Sequence, residues 1–234
     1  MTRRHRSLGA QPSPPRGDVA KRPAPPCIYV LAGTNGAGKS SVGGAAFRQG
    51  GADYFNPDEA TRLIVAANPD ITPDQANSAA WNEGRRLLQR AIVERLDFAF
   101  ETTLGGTTIT ALLREALSLG RAVRIWYVGL SSPELHLARI RARVAQGGHD
   151  IPDGKVRERF DRSRLNLIAL LPIATEVRVY DNSVEGDPAT GGAPAPALIL
   201  HTRRGAVVSV CNLADVPKWA KPLVAAALKR RSVS

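Results

Sequence analysis

The sequence predicts a three-layer α/β/α fold, a mostly parallel sheet with helices on both faces. Three observations carry that expectation. Between residues 27 and 182, segments that read as strands alternate with segments that read as helices, the order that builds parallel sheets through right-handed crossovers. Two strand segments, 27–32 and 123–130, are apolar-dominated runs, as in strands covered on both faces. The first run leads straight into Gly33-Thr34-Asn35-Gly36-Ala37-Gly38-Lys39-Ser40, the G-x-x-x-x-G-K-[ST] pattern in its required strand–loop–helix setting.

The residues of that pattern have separate tasks. The glycines let consecutive backbone N–H groups turn inward around phosphate oxygens, with a helix N-terminus behind them. Lys39 reaches the β- and γ-phosphates, and the Ser40 hydroxyl takes Mg²⁺. The chain is therefore expected to be P-loop NTPase- or kinase-like. It would bind ATP or a close relative, with Mg²⁺, through Gly33, Thr34, Asn35, Gly36, Ala37, Gly38, Lys39, Ser40 and Ser41.

The remaining elements follow in order. Residues 1–26 are rich in Arg, Pro, Gly and Ser and read as a disordered basic tail. A first helix is expected from Ser40 to about Gln49, ended by Gly50-Gly51. A short strand at 52–55 delivers Asn56-Pro57-Asp58, and 59–65 is helical. Thr72-Pro73-Asp74-Gln75 is a helix start: Thr72 as N-cap, Pro73 at the first helical position, Gln75 as capping-box partner. That helix runs to about Arg95. A brief strand at 98–100 ends at Glu101-Thr102-Thr103. A helix around 108–119 stops at Gly120, and the strand 123–130 follows. Ser132-Pro133 caps a helix bearing Arg139, Arg141 and Arg143 that ends at Gly147-Gly148. A further helix spans about 155–170, and a strand at 177–180 ends at Asp181-Asn182. Residues 183–196 are a Gly/Pro/Ala-rich loop. Residues 197–202 and 206–210 pair as a small hairpin. The domain expectation is a tail at 1–26, a kinase domain at 27–215 with the hairpin at 197–210, and a basic C-terminal helix or tail at 216–234.

Composition narrows the function classes. With 234 residues and 43% hydrophobic content the chain can bury one α/β core. No run of 18 apolar residues exists, so no membrane span is expected. The basic N-terminus lacks the apolar core of a signal peptide, and Cys27 and Cys211 show no metal or disulfide spacing; a cytoplasmic protein is expected. The net charge of +11 sits almost wholly in the two tails, 1–26 and 218–234, leaving the body at +1. Nucleic acid is thus expected only as weak, salt-sensitive tail contacts.

Three further constellations fall at predicted strand ends, where open α/β sheets bind ligands. Asp58 is either a helix cap or the carboxylate that takes a proton from an acceptor hydroxyl, and one residue can do both. Glu101-Thr102-Thr103 offers a carboxylate and two hydroxyls for a polar substrate or the water shell of Mg²⁺. Arg139 and Arg143 share a helical face with His136, ahead of Gly147-Gly148-His149-Asp150-Ile151-Pro152. That arrangement reads as an arginine-bearing lid closing on phosphates, against the alternative of a solvated basic face. His149 by itself is ambiguous.

In this order these motifs resemble the zeta toxin family of P-loop kinases, over about Ile28 to Ser183, including Phe100-Glu101-Thr102-Thr103-Leu104 and Tyr180-Asp181-Asn182-Ser183. Thr34 stands where Pro is common in that family's loop, and Ser41 where Thr is common. The resemblance implies Lys39 and Ser40 on nucleotide and Mg²⁺, with Asp58 as base on the acceptor. It implies Glu101, Thr103 and His149 at the acceptor, and Arg143 ahead of Arg139 on the phosphates. Asn182 would lie beside the adenine. It also implies a UDP-activated amino sugar such as UDP-N-acetylglucosamine as acceptor, and an antitoxin protein as partner. A metabolic or antibiotic-modifying kinase shares the same frame. A nucleotide-dependent nucleic-acid-binding switch using the basic tails is the non-enzyme alternative.

Overall fold

The structure, a computed structural model, describes residues 26–44, 53–148, 150–184 and 195–229. Most of the expected N-terminal tail, the second half of the expected first helix, His149 and most of the 183–196 loop lie outside the described residues.

Among the described residues, seven strands form one sheet in the order β2-β3-β1-β4-β5-β6-β7. Strands β1 (Cys27–Ala32), β2 (Asp53–Phe55), β3 (Phe98–Thr102), β4 (Ala122–Gly129) and β5 (Glu176–Asp181) are parallel. Strands β6 (Ala197–Arg203) and β7 (Ala206–Val210) run antiparallel. The helices are α1 (Pro57–Ala67), α2 (Pro73–Glu94), α3 (Thr107–Ser118), α4 (Pro133–Val144), α5 (Asp153–Leu170) and α6 (Lys221–Leu228). The alternation of a strand's side chains divides the core. Ile28, Val30, Phe98, Phe100, Val123, Ile125, Val177 and Val179 join Leu88, Ile92, Leu113, Leu167 and Leu170 in one large cluster. Leu31, Ala99 and Val128 belong to a separate, smaller cluster with Ala37.

Local chemistry sets the helix ends. Thr72 and Gln75 close a reciprocal capping box at the start of α2, and Arg95 ends it in the left-handed conformation at φ 60°. The Ser132 hydroxyl accepts the Leu135 amide at the start of α4. After the glycine loop the chain departs from the expected α-helix: Ser40–Gly44 is a π-helical turn, a geometry frequent at functional sites.

The hairpin extends the main sheet, because β6 pairs with β5 and places Leu200 beside Val179. The C-terminal segment, basic by composition, is amphipathic in place. Trp219, Leu223, Val224 and Ala227 are buried in the large cluster, while Lys218 and Lys221 face solvent. Trp219 packs on the end of β4: a Cβ added to Gly129 would lie 2.3 Å from its ring. Gly129→Ala should therefore destabilise the fold by about 1–3 kcal/mol through overpacking. Denaturant unfolding checks this, and an unchanged midpoint would mean the ring is not seated there.

Candidate active site

The parallel strands all point their C-terminal ends at one edge, where β1 runs into the loop Gly33–Ser40. Gly33, Gly36 and Gly38 hold φ of 143°, 78° and 80°, values that L side chains rarely adopt. The Gly33 amide donates to the Thr102 carbonyl at 3.2 Å, and the Lys39 ammonium donates back to the Gly33 carbonyl at 2.9 Å. Asn182 lies on the loop's backbone: its side-chain amide donates to the Ala37 carbonyl at 2.9 Å, and Gly38 faces that amide at a distance only glycine permits. Arg139, expected on the phosphates, instead donates to the Asn182 carbonyl at 2.9 Å. Thr34 is 1% exposed, so its hydroxyl is buried within the loop. Ser41 lies within the π-helical turn.

Glu101, 6% exposed, is held by three donors on one carboxylate oxygen: the Ser40 hydroxyl at 2.8 Å, the Asn56 amide at 3.2 Å and the Tyr54 hydroxyl. Such donors compensate the cost of burying a carboxylate. The donor set also suits Mg²⁺, because Ser40 and Glu101 put two hard oxygen ligands together beside the loop. Thr103 is tied to α5, its carbonyl accepting the Ser163 hydroxyl at 2.7 Å.

Asp58 sits in the first turn of α1, but the cap is Asn56, whose side-chain oxygen accepts the Asp58 and Glu59 amides. The Asp58 carboxylate, 66% exposed, is left to meet Arg143 of α4 at 3.3 Å. Arg159 of α5, which sequence reasoning missed, donates to the Asn35 side-chain oxygen at 2.8 Å. Lys39 feels all of these groups. Desolvation pushes its ammonium below the ordinary lysine value; Glu101 and Asp58 oppose that shift, and Arg143 and Arg159 add to it. The site thus unites Lys39, Ser40, Asp58, Glu101 and Arg143 as expected and adds Arg159, Tyr54 and Asn56. It turns Asn182 to the loop itself and Arg139 to Asn182. His149 lies outside the described residues.

Nothing in the sequence set Arg159 apart from the other arginines of α5; its place three residues after Val156 and four before Ser163, both fully buried, appears only in the fold. His136 was noted only for sharing the arginine face. It is 1% exposed, and its Nδ1 lies 2.7 Å from the Asn35 carbonyl.

A second charged group lies at the opposite end of the strands. Glu176 receives Arg178 at 2.8 Å and His201 at 2.9 Å, with Arg124 and Arg203 nearby. Burial raises its pKa less than Arg178, His201 and Arg203 together lower it, so Glu176 stays below the usual carboxylate range. Among the described residues no helix is long and apolar enough to cross a membrane.

The profile of the zeta toxin family matches residues 16–185, more than half of the chain. An uncharacterized protein of Haemophilus influenzae is 33% identical over 134 residues, covering 55% of this chain and 88% of that protein. Among solved structures, a chain of the AvrRxo1-ORF1:AvrRxo1-ORF2 complex with ATP matches at TM-score 0.63 and 15% identity, over 88% of this chain and 64% of that one. The present chain therefore spans less than two thirds of the length of that relative. A chain from the PezAT chromosomal toxin–antitoxin system of Streptococcus pneumoniae matches at TM-score 0.53 and 14% identity, over 93% of this chain and 89% of that one. At these identities the structural likeness is one of fold.

His136 makes stability depend on pH. Burial lowers it from 6.5 to about 4; the Asn35 carbonyl opposes the shift, while Lys39 and Arg139 reinforce it. The folded-state value lies below the unfolded one, so between about pH 6.5 and 4 unfolding takes up a proton. This residue's contribution is complete above that window and is lost as pH falls through it, with a slope of about 1.4 kcal/mol per pH unit. His136→Asn should flatten that part of the stability–pH profile, as measured by denaturant unfolding from pH 7 to 4. An unaltered slope would show that His136 is not held neutral.

Proposed function

The chain belongs to the zeta toxin family, and from that premise we propose that it is an ATP-dependent kinase. It transfers the γ-phosphoryl group to a hydroxyl of a UDP-activated amino sugar such as UDP-N-acetylglucosamine. One observation carries the kinase reading: the buried Lys39 ammonium shares its electrostatic neighbourhood with Asp58, Glu101, Arg143 and Arg159. That clustering of charged groups near Lys39 supports the reading. The acceptor rests on family resemblance.

In this reading the Lys39 ammonium holds the donor's phosphates together with loop amides other than those of Gly33 and Ala37, which donate to the Thr102 and Thr34 carbonyls. Asp58 accepts the proton of the acceptor hydroxyl as its oxygen bonds to the γ-phosphorus; the bond to the β–γ bridging oxygen breaks, and ADP leaves. The exposure of Asp58 suits that role, since an incoming hydroxyl can displace Arg143 from it. Arg143 and Arg159 then neutralise the phosphoryl oxygens as charge redistributes. Ser40 and Glu101 would hold Mg²⁺, which would supply positive charge to offset that of the donor phosphates. An antitoxin-like partner is part of the proposal, supported by fold neighbours solved within the AvrRxo1-ORF1:AvrRxo1-ORF2 complex and the PezAT system. So is a cytoplasmic setting, in keeping with the free thiols Cys27 and Cys211.

The decisive experiment incubates the protein with ATP and a panel of nucleotide-sugars, dinucleotides and aminoglycosides, and reads the gain of one phosphate by mass spectrometry. A phosphorylated UDP-amino sugar is expected; a product from another class would move the acceptor while keeping the kinase. Asp58→Asn should leave ATP affinity intact and lower transfer about 10²–10⁴-fold. Lys39→Ala should weaken binding and transfer together. Arg143→Ala should lower kcat more than it raises the acceptor KM. Near-normal transfer by Asp58→Asn would remove Asp58 as the base.

A further inference from the structure

A phosphate cradle needs its peptide N–H groups turned inward, which turns the opposite carbonyls outward into the protein. A buried carbonyl must find a donor there. At Asn35 that donor is His136 of α4, whose Nδ1 lies 2.7 Å from the carbonyl oxygen. Because a carbonyl can only accept, the ring carries its proton on Nδ1. The next residue, Gly36, has φ 78°, and glycine tolerates either sign of φ. The Asn35–Gly36 peptide can therefore turn over at little backbone cost, and the histidine selects the orientation. Its surroundings fix the ring. The His136 carbonyl lies so close to Gly36 that a Cβ would come within 2.7 Å of it. Phe160 meets the imidazole edge-on at 5.7 Å, and its neighbour Arg159 holds the Asn35 side chain. One turn along α4, Arg139 reaches the far side of the loop through Asn182 and Ala37.

We propose that His136 is a positioning residue of the donor site: its Nδ1–H fixes the Asn35 carbonyl outward and so keeps the loop amides aligned for a nucleoside triphosphate. It acts through Asn35 and touches no reacting atom. The inference rests on the ATP-donor reading, so its test uses equilibrium ATP binding, which does not require turnover.

The test compares His136→Asn, His136→Gln and His136→Leu by calorimetric titration with MgATP, after circular dichroism confirms folding. An asparagine amide falls near the position of Nδ1, and a glutamine amide near that of Nε2. Loss of the bond should weaken ATP binding about tenfold in His136→Leu and His136→Gln, with His136→Asn within about threefold of the unaltered chain. A purely structural role would move Asn and Gln together. Equal affinities for those two variants, or His136→Leu binding ATP within about twofold of the unaltered chain, would overturn the inference. Should His136→Leu fail to fold, the Asn–Gln comparison still decides. Failure of the unaltered chain to bind ATP would instead remove the donor reading, and this inference with it.

Discussion

A loop whose amides converge on a ligand cannot satisfy its own backbone, and this constraint organises the structure around Gly33–Ser40. The hydrogen bonds that a helix or strand makes internally must here come from neighbours. Each neighbour supplies one. Strand β3 accepts the Gly33 amide through Thr102; the end of β5 holds Ala37 through Asn182; α4 holds the Asn35 carbonyl through His136; α5 holds the Asn35 side chain through Arg159. The four lie far apart in the chain and meet only because the parallel strands end at one edge. The cradle is thus a product of the whole sheet, although its recognisable residues are consecutive.

The two carboxylates beside the loop show how environment divides labour between similar groups. Glu101 is buried and held through one oxygen by three donors, which fixes its position and keeps it oriented on Ser40. Asp58 is two-thirds exposed and has one long contact, to Arg143. An exposed pair of that kind contributes at most about 1 kcal/mol, so an entering hydroxyl can replace it at small cost. A fixed carboxylate suits a metal-holding role, and a loosely held one suits proton transfer.

Much of this was legible in the sequence because it is local. The capping box at Thr72–Gln75, the Ser132 cap and the glycine motif depend on residues a few positions apart; the helices that the two caps predicted are present, as is the strand leading into the glycine loop. What the sequence concealed depends on partners distant in the chain. Residues 197–210 read as a small hairpin, and nothing in their pattern says that β6 pairs with β5. The segment after Val216 read as basic because its charges are conspicuous, whereas Trp219, Leu223 and Val224 declare themselves only once a sheet lies beneath them. Arg159 was hidden among the other arginines of α5. Of these, Arg157 and Arg162 pair with Glu134 and Glu158 at the surface, while Arg159 turns inward to Asn35.

The arginine helix itself is reinterpreted by its contacts. From sequence, α4 resembles a lid that swings on Gly147-Gly148. In the structure its first two turns are an anchor: His136, Leu137 and Ile140 are buried, His136 meets the Asn35 carbonyl of the loop, and Arg139 reaches the loop through Asn182. Swinging the helix would break the bonds that shape the cradle, so donor binding and rigid-body motion of α4 oppose each other. Only its last turn is positioned differently. Arg143 reaches across to Asp58, and the chain beyond it leaves the helix through Gly147 at φ 85°. Movement compatible with an intact loop is therefore confined to Arg143 and the residues that follow it. One face of one helix then serves two ends: its first turns hold the glycine loop, and Arg143 near its end reaches Asp58.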